Sequence, residues 1–246
     1  MNRSFIVPDW PAPSNIRALV TTRAGGVSVA PFDSLNLGDH VGDMPRAVVE
    51  NRARLRRFLP ADPVWLQQVH GNQVVDLDLV PVLARGDASM TRQAQTVCAM
   101  MTADCLPVLF CDDTGAVVAA AHAGWRGLAA GVLEAAVGAM GVRPERILAW
   151  LGPAIGPDAF EVGSDVRDAF LSKDPGAADA FVTQRQPGKW LADIYMLARR
   201  RLVHAGVVRV YGGGLCTWHE QARFFSYRRD GVTGRFASLI WREPEP

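Results

Sequence analysis

Three side chains in this 246-residue chain are of the types that hold a transition metal: His70, Cys105 and His122. His70 ends the run VWLQQVHG, Cys105 follows Asp104 in TADCLPVLF, and His122 lies in AAHAGWRGL. Two imidazoles and one thiol make a three-ligand set that leaves a fourth position open for water or substrate, the pattern of a catalytic rather than a structural zinc. Zinc would keep Cys105 as a thiolate and lower the pKa of a bound water towards about 7. Copper is the other metal this donor set accepts. The three positions are 35 and 17 residues apart, which matches no local finger pattern, so the sequence alone does not bring them together. Each also has a plainer reading, the cysteine as a small buried hydrophobe and each histidine as a hydrogen-bonded strand-end residue. Asp104, beside Cys105, suits proton transfer or a supporting hydrogen bond better than ligation.

Anion-binding groups accompany this set. In AHAGWRGL a strand gives way to a helix start, whose free amides attract oxyanions. Arg126 stands in that first turn, where the helix dipole disfavours a cation and an anionic ligand would explain it. Arg23, in TTRAGG, is a second phosphate candidate, since arginine suits bidentate contacts to oxyanions. The arginine pair of SYRRDGVTGR is a third, with a solvated hairpin as the plainer reading. His40 and Asp43 lie in a long polar loop and are read as pocket-lining or, for Asp43, as a helix cap. His204 near a helix C-terminus is accounted for by the dipole.

The elements that must carry these residues are read from apolar runs and their breakers. Residues 1–15 read as an irregular arm. Strands are expected over 16–21, 64–69, 74–79, 96–102, 106–111, 116–121, 147–151 and 207–211, with a hairpin formed by 224–229 and 235–241. Helices are expected over 45–59, 127–140, 164–171 and 193–205, with Ser164 as a cap. Many strands with few helices, and no regular alternation, indicate an α+β fold: one domain over 1–246, of layered mixed β-sheets flanked by helices.

Composition narrows the function. Hydrophobic residues make up 49% and charged residues 21%, so a core is expected and extensive disorder is not. A net charge of +1 gives no support for bulk nucleic-acid binding. The segment MNRSFIVPDWPAP lacks an apolar signal core, and no apolar run reaches membrane-spanning length, so a cytoplasmic protein without a membrane partner is expected. The four cysteines form no CxxC pair and are read as thiols. No heptad or interface stripe is visible, which points to a monomer. The P-loop, the dinucleotide fingerprint, the GxSxG elbow, HExxH and the HxE…PCxxC deaminase signature are all missing.

Seven motifs in order, TTRAGGVS, SLNLGDHVGD, QQVHGNQVV, TADCLPVLF, AAHAGWRGL, LGPAIGPDAFEVG and FFSYRRDGVTGR, resemble the YfiH/YlmD family over nearly the whole chain. The family has been labelled laccase-domain, polyphenol oxidase, peptidoglycan editing factor and purine nucleoside phosphorylase. The resemblance implies a layered fold of mixed sheets related to a class of cysteine hydrolases, with metal ligands at His70, Cys105 and His122. It also implies phosphorolysis of adenosine, inosine and S-methyl-5′-thioadenosine, adenosine deamination, and a part in activity for Arg23. A zinc-dependent nucleoside enzyme taking purine nucleosides and phosphate is the reading adopted. The alternatives are a cysteine-type amide hydrolase or peptidoglycan-precursor editing factor using Cys105, a non-enzymatic binding partner, and a copper polyphenol oxidase. The last is disfavoured because a multicopper centre needs many histidines and this chain has five.

Overall fold

The computed structural model describes residues 5–79 and 84–244. Two sheets stack face to face. The first contains, in order, β1 (Phe5–Ile6), β2 (Ile16–Thr21), β14 (Phe236–Arg242), β6 (Val97–Thr102) and β3 (Pro63–Trp65). The second contains β13 (Arg209–Gly212), β9 (Ile147–Leu151), β7 (Leu106–Asp112), β8 (Val118–Ala123), β5 (Ala88–Thr91) and β4 (Val74–Asp76). Both mix parallel and antiparallel pairs, as in β3 beside β6 and β7 beside β8. A small third sheet holds β10 (Glu161–Gly163), β12 (Lys189–Ala192) and β11 (Phe181–Thr183).

The central strands read as unbroken apolar runs because both of their faces are covered. Leu109 and Cys111 of β7 face Cys98, Met100 and Ile240 of the first sheet. Leu106, Val108 and Phe110, from the same strand, face the helices α2 (Trp125–Ala130), α3 (Val132–Met140) and α5 (Ile194–His204). On the outer side of the first sheet, Leu55 of α1 (Pro45–Arg56) packs with Leu19, Ala99 and Leu239. The layers therefore run helix, sheet, sheet, helix, which is the expected mixed architecture. The remaining α-helices among the described residues are α4 (Ser164–Leu171) and the single turn α6 (Tyr227–Asp230).

Several local expectations are corrected. The arm over 1–15 is not wholly irregular: Phe5 and Ile6 pair antiparallel with Thr21 and Val20, residues 1–4 lying outside the described ones. The helix expected over 127–140 is two helices, because Gly131 takes the left-handed conformation at φ 97° and ends α2. No hairpin joins 224–229 to 235–241. Both edges of β14 are already taken, by β2 and β6, and the preceding segment instead turns into α6, capped by Ser226 Oγ accepting from the Arg229 amide. β3 ends at Trp65, and His122 lies within β8 rather than after it. Neither Asp43 nor Ser164 caps a helix; Met44 and Gly163 occupy those positions. Strand β5 and the third sheet were not anticipated.

The loop 22–44 is pinned to α1 by one buried side chain. Asn51 Nδ2 donates to Ser28 Oγ, the Ser34 carbonyl and the Asn36 carbonyl, while its Oδ1 accepts from the Val27 amide. Asn51→Ala strands these partners in a dry setting, at about 1–3 kcal/mol for each group left unsatisfied. Chemical denaturation of this variant is expected to show a loss of about 3 kcal/mol or more. A loss below about 0.5 kcal/mol, the range of ordinary surface substitutions, would mean the loop is held by other contacts.

Candidate metal centre

His70, Cys105 and His122 are brought together at one end of the second sheet, their ligand atoms all within 4.8 Å of one another. Cys105 stands just before β7, His122 near the end of the antiparallel neighbour β8, and Pro107 pairs with His122 in register. His70 arrives from the loop after β3 with φ 61°, a left-handed conformation uncommon for a non-glycine residue. The imidazole rings of His70 and His122 meet edge to face at 4.7 Å, and Cys105 Sγ lies 3.9 Å from His70 Nε2. Gly124 closes the group from beneath. A Cβ there would stand 2.9 Å from His70 Cδ2 and 3.0 Å from Cys105 Sγ. The glycine of AHAGW thus serves close packing against the three side chains.

What fixes this geometry is Asp87, which the sequence reading missed. Its carboxylate is fully buried at 0% exposure. It accepts hydrogen bonds from the backbone amides of Val69, His70 and Gly71 and from His122 Nδ1 at 2.8 Å. With Nδ1 committed, His122 presents Nε2 to the shared centre, the arrangement by which carboxylates orient metal-binding imidazoles. Burial alone would raise the Asp87 pKa, but the His122 hydrogen bond and the amides hold it below the ordinary carboxylate value.

Electrostatics favours a thiolate. Burial opposes ionisation of Cys105, yet the charge and hydrogen bond of His122, with those of His70, bring its pKa down to about 6. Burial likewise opposes the charged form of His122, and the Cys105 thiolate and Asp87 outweigh it, raising that pKa to about 9. Without metal this is a thiolate–imidazolium pair. A metal cation would take the place of the proton between soft sulfur and imidazole nitrogen, so the donor set fits zinc or copper.

Cys105 and Asp104 open onto a cavity of about 130 Å³ walled by Trp125, Ile155, Phe160, Ile194 and Tyr227. Asp104 does not face the histidines. Its Oδ1 accepts from Thr217 Oγ1 and its Oδ2 from the Arg228 amide, both at 2.6 Å, so it braces α6 against the start of β7. Arg126 is exposed and stacks on Trp125, lining a groove with Lys189 and Arg228 that meets the cavity at Trp125 and Phe160. Arg23 is not brought to the cavity. Its guanidinium is held by the Asp33 carbonyl and carboxylate and by the Gln221 carbonyl, in a separate cleft. Arg229 is likewise engaged, by Asp230 and by the Thr217 and Phe224 carbonyls. His40 lines another cleft beside Tyr227, and His204 lies near Asp174.

Two predictions follow from the carboxylate and the thiolate. Asp87→Asn keeps the shape but weakens the orientation of His122, and metal affinity is expected to fall about 10- to 100-fold in a chelator competition. Unchanged affinity would remove Asp87 from that role. In metal-free protein, iodoacetamide is expected to alkylate Cys105 at a rate that rises with pH through about 6, as the thiolate forms. Added zinc should suppress that labelling, and labelling with a midpoint near the ordinary thiol value would contradict the thiolate pair.

Residues 17–243 match the family model described as multi-copper polyphenol oxidoreductase laccase. A purine nucleoside phosphorylase of Pseudomonas aeruginosa is 61% identical, over 97% of this chain and 98% of its own length. The purine nucleoside phosphorylase YfiH of Escherichia coli K12 is 58% identical, over 96% of this chain and 98% of its own length. The crystal structure of a Neisseria meningitidis protein superposes with a TM-score of 0.94 at 53% identity, covering 98% of this chain and all of that one. The match over most of the sequence, at these identities and with this fold, makes the chain a member of the laccase-domain family that contains YfiH.

Proposed function

We propose that the chain is a metal-dependent purine nucleoside phosphorylase, with zinc held by His70, Cys105 and His122. The convergence of two imidazoles and a thiolate beside an aromatic-walled cavity carries this reading, and the phosphorylase names of relatives such as YfiH support it. Adenosine, inosine and S-methyl-5′-thioadenosine are the proposed substrates, with adenosine deamination as a side reaction of the same site. In the main reaction a phosphate oxygen bonds to C1′ as the C1′–N9 bond breaks. The purine leaves with the bonding pair and takes up a proton at a ring nitrogen, giving free base and ribose 1-phosphate, or 5-methylthioribose 1-phosphate from the methylthio substrate. The walls formed by Trp125, Phe160 and Tyr227 suit a flat heteroaromatic ring, which stacks on aromatic faces. Arg126 and Arg228 line the groove that meets this cavity, beside Asp165 and the Lys189–Glu161 ion pair, and the exposed Arg126 is the cation there that draws the anionic co-substrate. Arg23 holds the 22–35 loop through Asp33, so any part it has in activity is indirect. A bound metal supplies a Lewis-acid charge beside the thiolate.

One observation favours a second reading. Asp87, His122 and Cys105 follow the order of an orienting carboxylate, a base and a nucleophile, as a cysteine-type amide hydrolase or precursor-editing factor requires. A polyphenol oxidase gains less support. Among the described residues one cluster of metal-type ligands is found, and His40, His204 and His219 lie outside it.

The deciding experiment measures metal content and then incubates the protein with each nucleoside, with and without phosphate. About one zinc per chain and phosphate-dependent release of free base are expected. Cys105→Ala and His122→Ala should each lose the metal and at least about 100-fold in turnover, more than the loss of a supporting residue costs. Nucleosides left intact under both conditions would move the assignment to the hydrolase reading, and full phosphate-dependent cleavage after metal removal would remove the metal from the reaction.

A further inference from the structure

Tyr227 separates two recesses. On one side is the aromatic-walled cavity over Cys105. On the other is a cleft of about 450 Å³ lined by His40, Val41, Thr233 and Arg235 as well as Tyr227. Thr233 and Arg235 have no role in the metal centre or in the cavity beside it.

Arg235 is the unusual group there. Its Nη1 donates to the Thr233 and Gly234 carbonyls at 3.0 Å, and its guanidinium lies 5.9 Å from the centroid of the Tyr227 ring. Among the described residues it has no carboxylate in ion-pair contact, and no hydrogen bond uses its Nε or Nη2. Yet the side chain is half-buried, and burial pulls its pKa below the ordinary guanidinium value while Cys105, Asp104 and Tyr227 pull the other way. A partly desolvated cation without a paired anion is costly. It is also held rigidly: its amide donates to Asn36 Oδ1, its carbonyl accepts from the Leu37 amide, and its stem packs on Gly38, where a Cβ would stand 2.9 Å from Arg235 Cγ.

A second unsatisfied group accompanies it. Thr233 is 1% exposed, and its Oγ1 has no hydrogen-bond partner among the described residues. Native structures rarely leave a buried hydroxyl unpaired without a reason. His40 adds an exposed imidazole whose Nδ1 faces Asp39, leaving Nε2 free for a ligand.

We propose that this cleft is the oxyanion subsite of the active centre, with Arg235 holding the phosphate co-substrate and Thr233 and His40 completing its hydrogen bonds. The free guanidinium edge suits two oxygens of one phosphate. Tyr227 lines both this cleft and the cavity over Cys105, and the Arg235 guanidinium lies 5.9 Å from its ring, so an anion held there is one side chain away from that cavity. Arg126 then gathers anions at the mouth, and Arg235 fixes the reacting one. That the anion is inorganic phosphate rests on the phosphorylase reading; that an oxyanion binds there does not.

The test is calorimetric titration of the zinc-loaded full chain with inorganic phosphate alone. Wild type should bind one phosphate per chain. Arg235→Gln should weaken binding about tenfold or more, the loss of a charge-assisted hydrogen bond, and Arg235→Lys should recover part of it. Thr233→Val should weaken it a few-fold, with zinc content unchanged in every variant. In turnover assays the KM for phosphate should rise in step while the KM for nucleoside stays within about twofold. Should Arg235→Gln misfold or lose zinc, Thr233→Val alone decides. No phosphate binding by wild type, or wild-type binding in both Arg235→Gln and Thr233→Val, overturns the subsite. Phosphate bound through Arg235 without nucleoside cleavage keeps the subsite and removes the phosphorylase reading.

Discussion

The buried carboxylate of Asp87 is the contact on which the centre depends. It lies just before β5, yet it gathers the amides of Val69, His70 and Gly71 from one loop and the imidazole of His122 from β8. Burying an ion costs several kcal/mol. Hydrogen bonds to a charged group return about 1.5–3 kcal/mol each, so four of them offset the cost, and the charge stays on. Because three of the donors are successive backbone amides, the carboxylate also fixes the turn that gives His70 its left-handed conformation. One side chain therefore sets the position of one imidazole and the tautomer of the other.

The stacked sheets supply the rigidity this needs. β7 and β8 are buried along their whole length and pair in register, so Cys105 and His122 leave adjacent strands at a fixed separation. Loops built on such strands are held more precisely than loops on the surface. The opposite wall of the site comes from distant sequence: Asp104 binds the Arg228 amide and Thr217, and Asn36 binds the Arg235 amide. These contacts span more than a hundred residues, and each joins a segment with little regular structure to the sheet ends.

That division explains what could be read from the sequence. Strands such as 106–112 and 147–151 are legible because double burial makes them continuous apolar runs. The strands 161–163, 181–183 and 189–192 are not, being short and partly exposed. The ligand types at His70, Cys105 and His122 were visible, but their convergence depends on β7 pairing with β8 and on Asp87, neither of which has a local signature. Asp87 follows Gly86 and looks like any turn aspartate. Its only signal is that it immediately precedes the apolar start of β5, a poor place for an unpaired charge. Arg235 was hidden by the expected hairpin, in which it would have been a solvated strand residue. The structure instead places it at the entrance to a strand buried from Phe236 to Trp241, with the 36–38 loop folded over it.

The second histidine distinguishes the two chemistries this geometry allows. A cysteine nucleophile needs one base, and Asp87–His122 already provides an oriented one. For a hydrolase a further imidazole 3.9 Å from the sulfur only adds to the thiolate stabilisation that His122 leads, and holding His70 there costs a strained backbone conformation. A metal ion would give that strain a purpose, because a third donor would complete a catalytic coordination set while leaving a position open. Gly124 points the same way: its missing side chain leaves room where His70, Cys105 and His122 approach one another, and any larger residue would push them apart. The local cost in backbone strain and close packing is thus concentrated on bringing in His70, the one member of the trio that a simple nucleophile–base pair would not require.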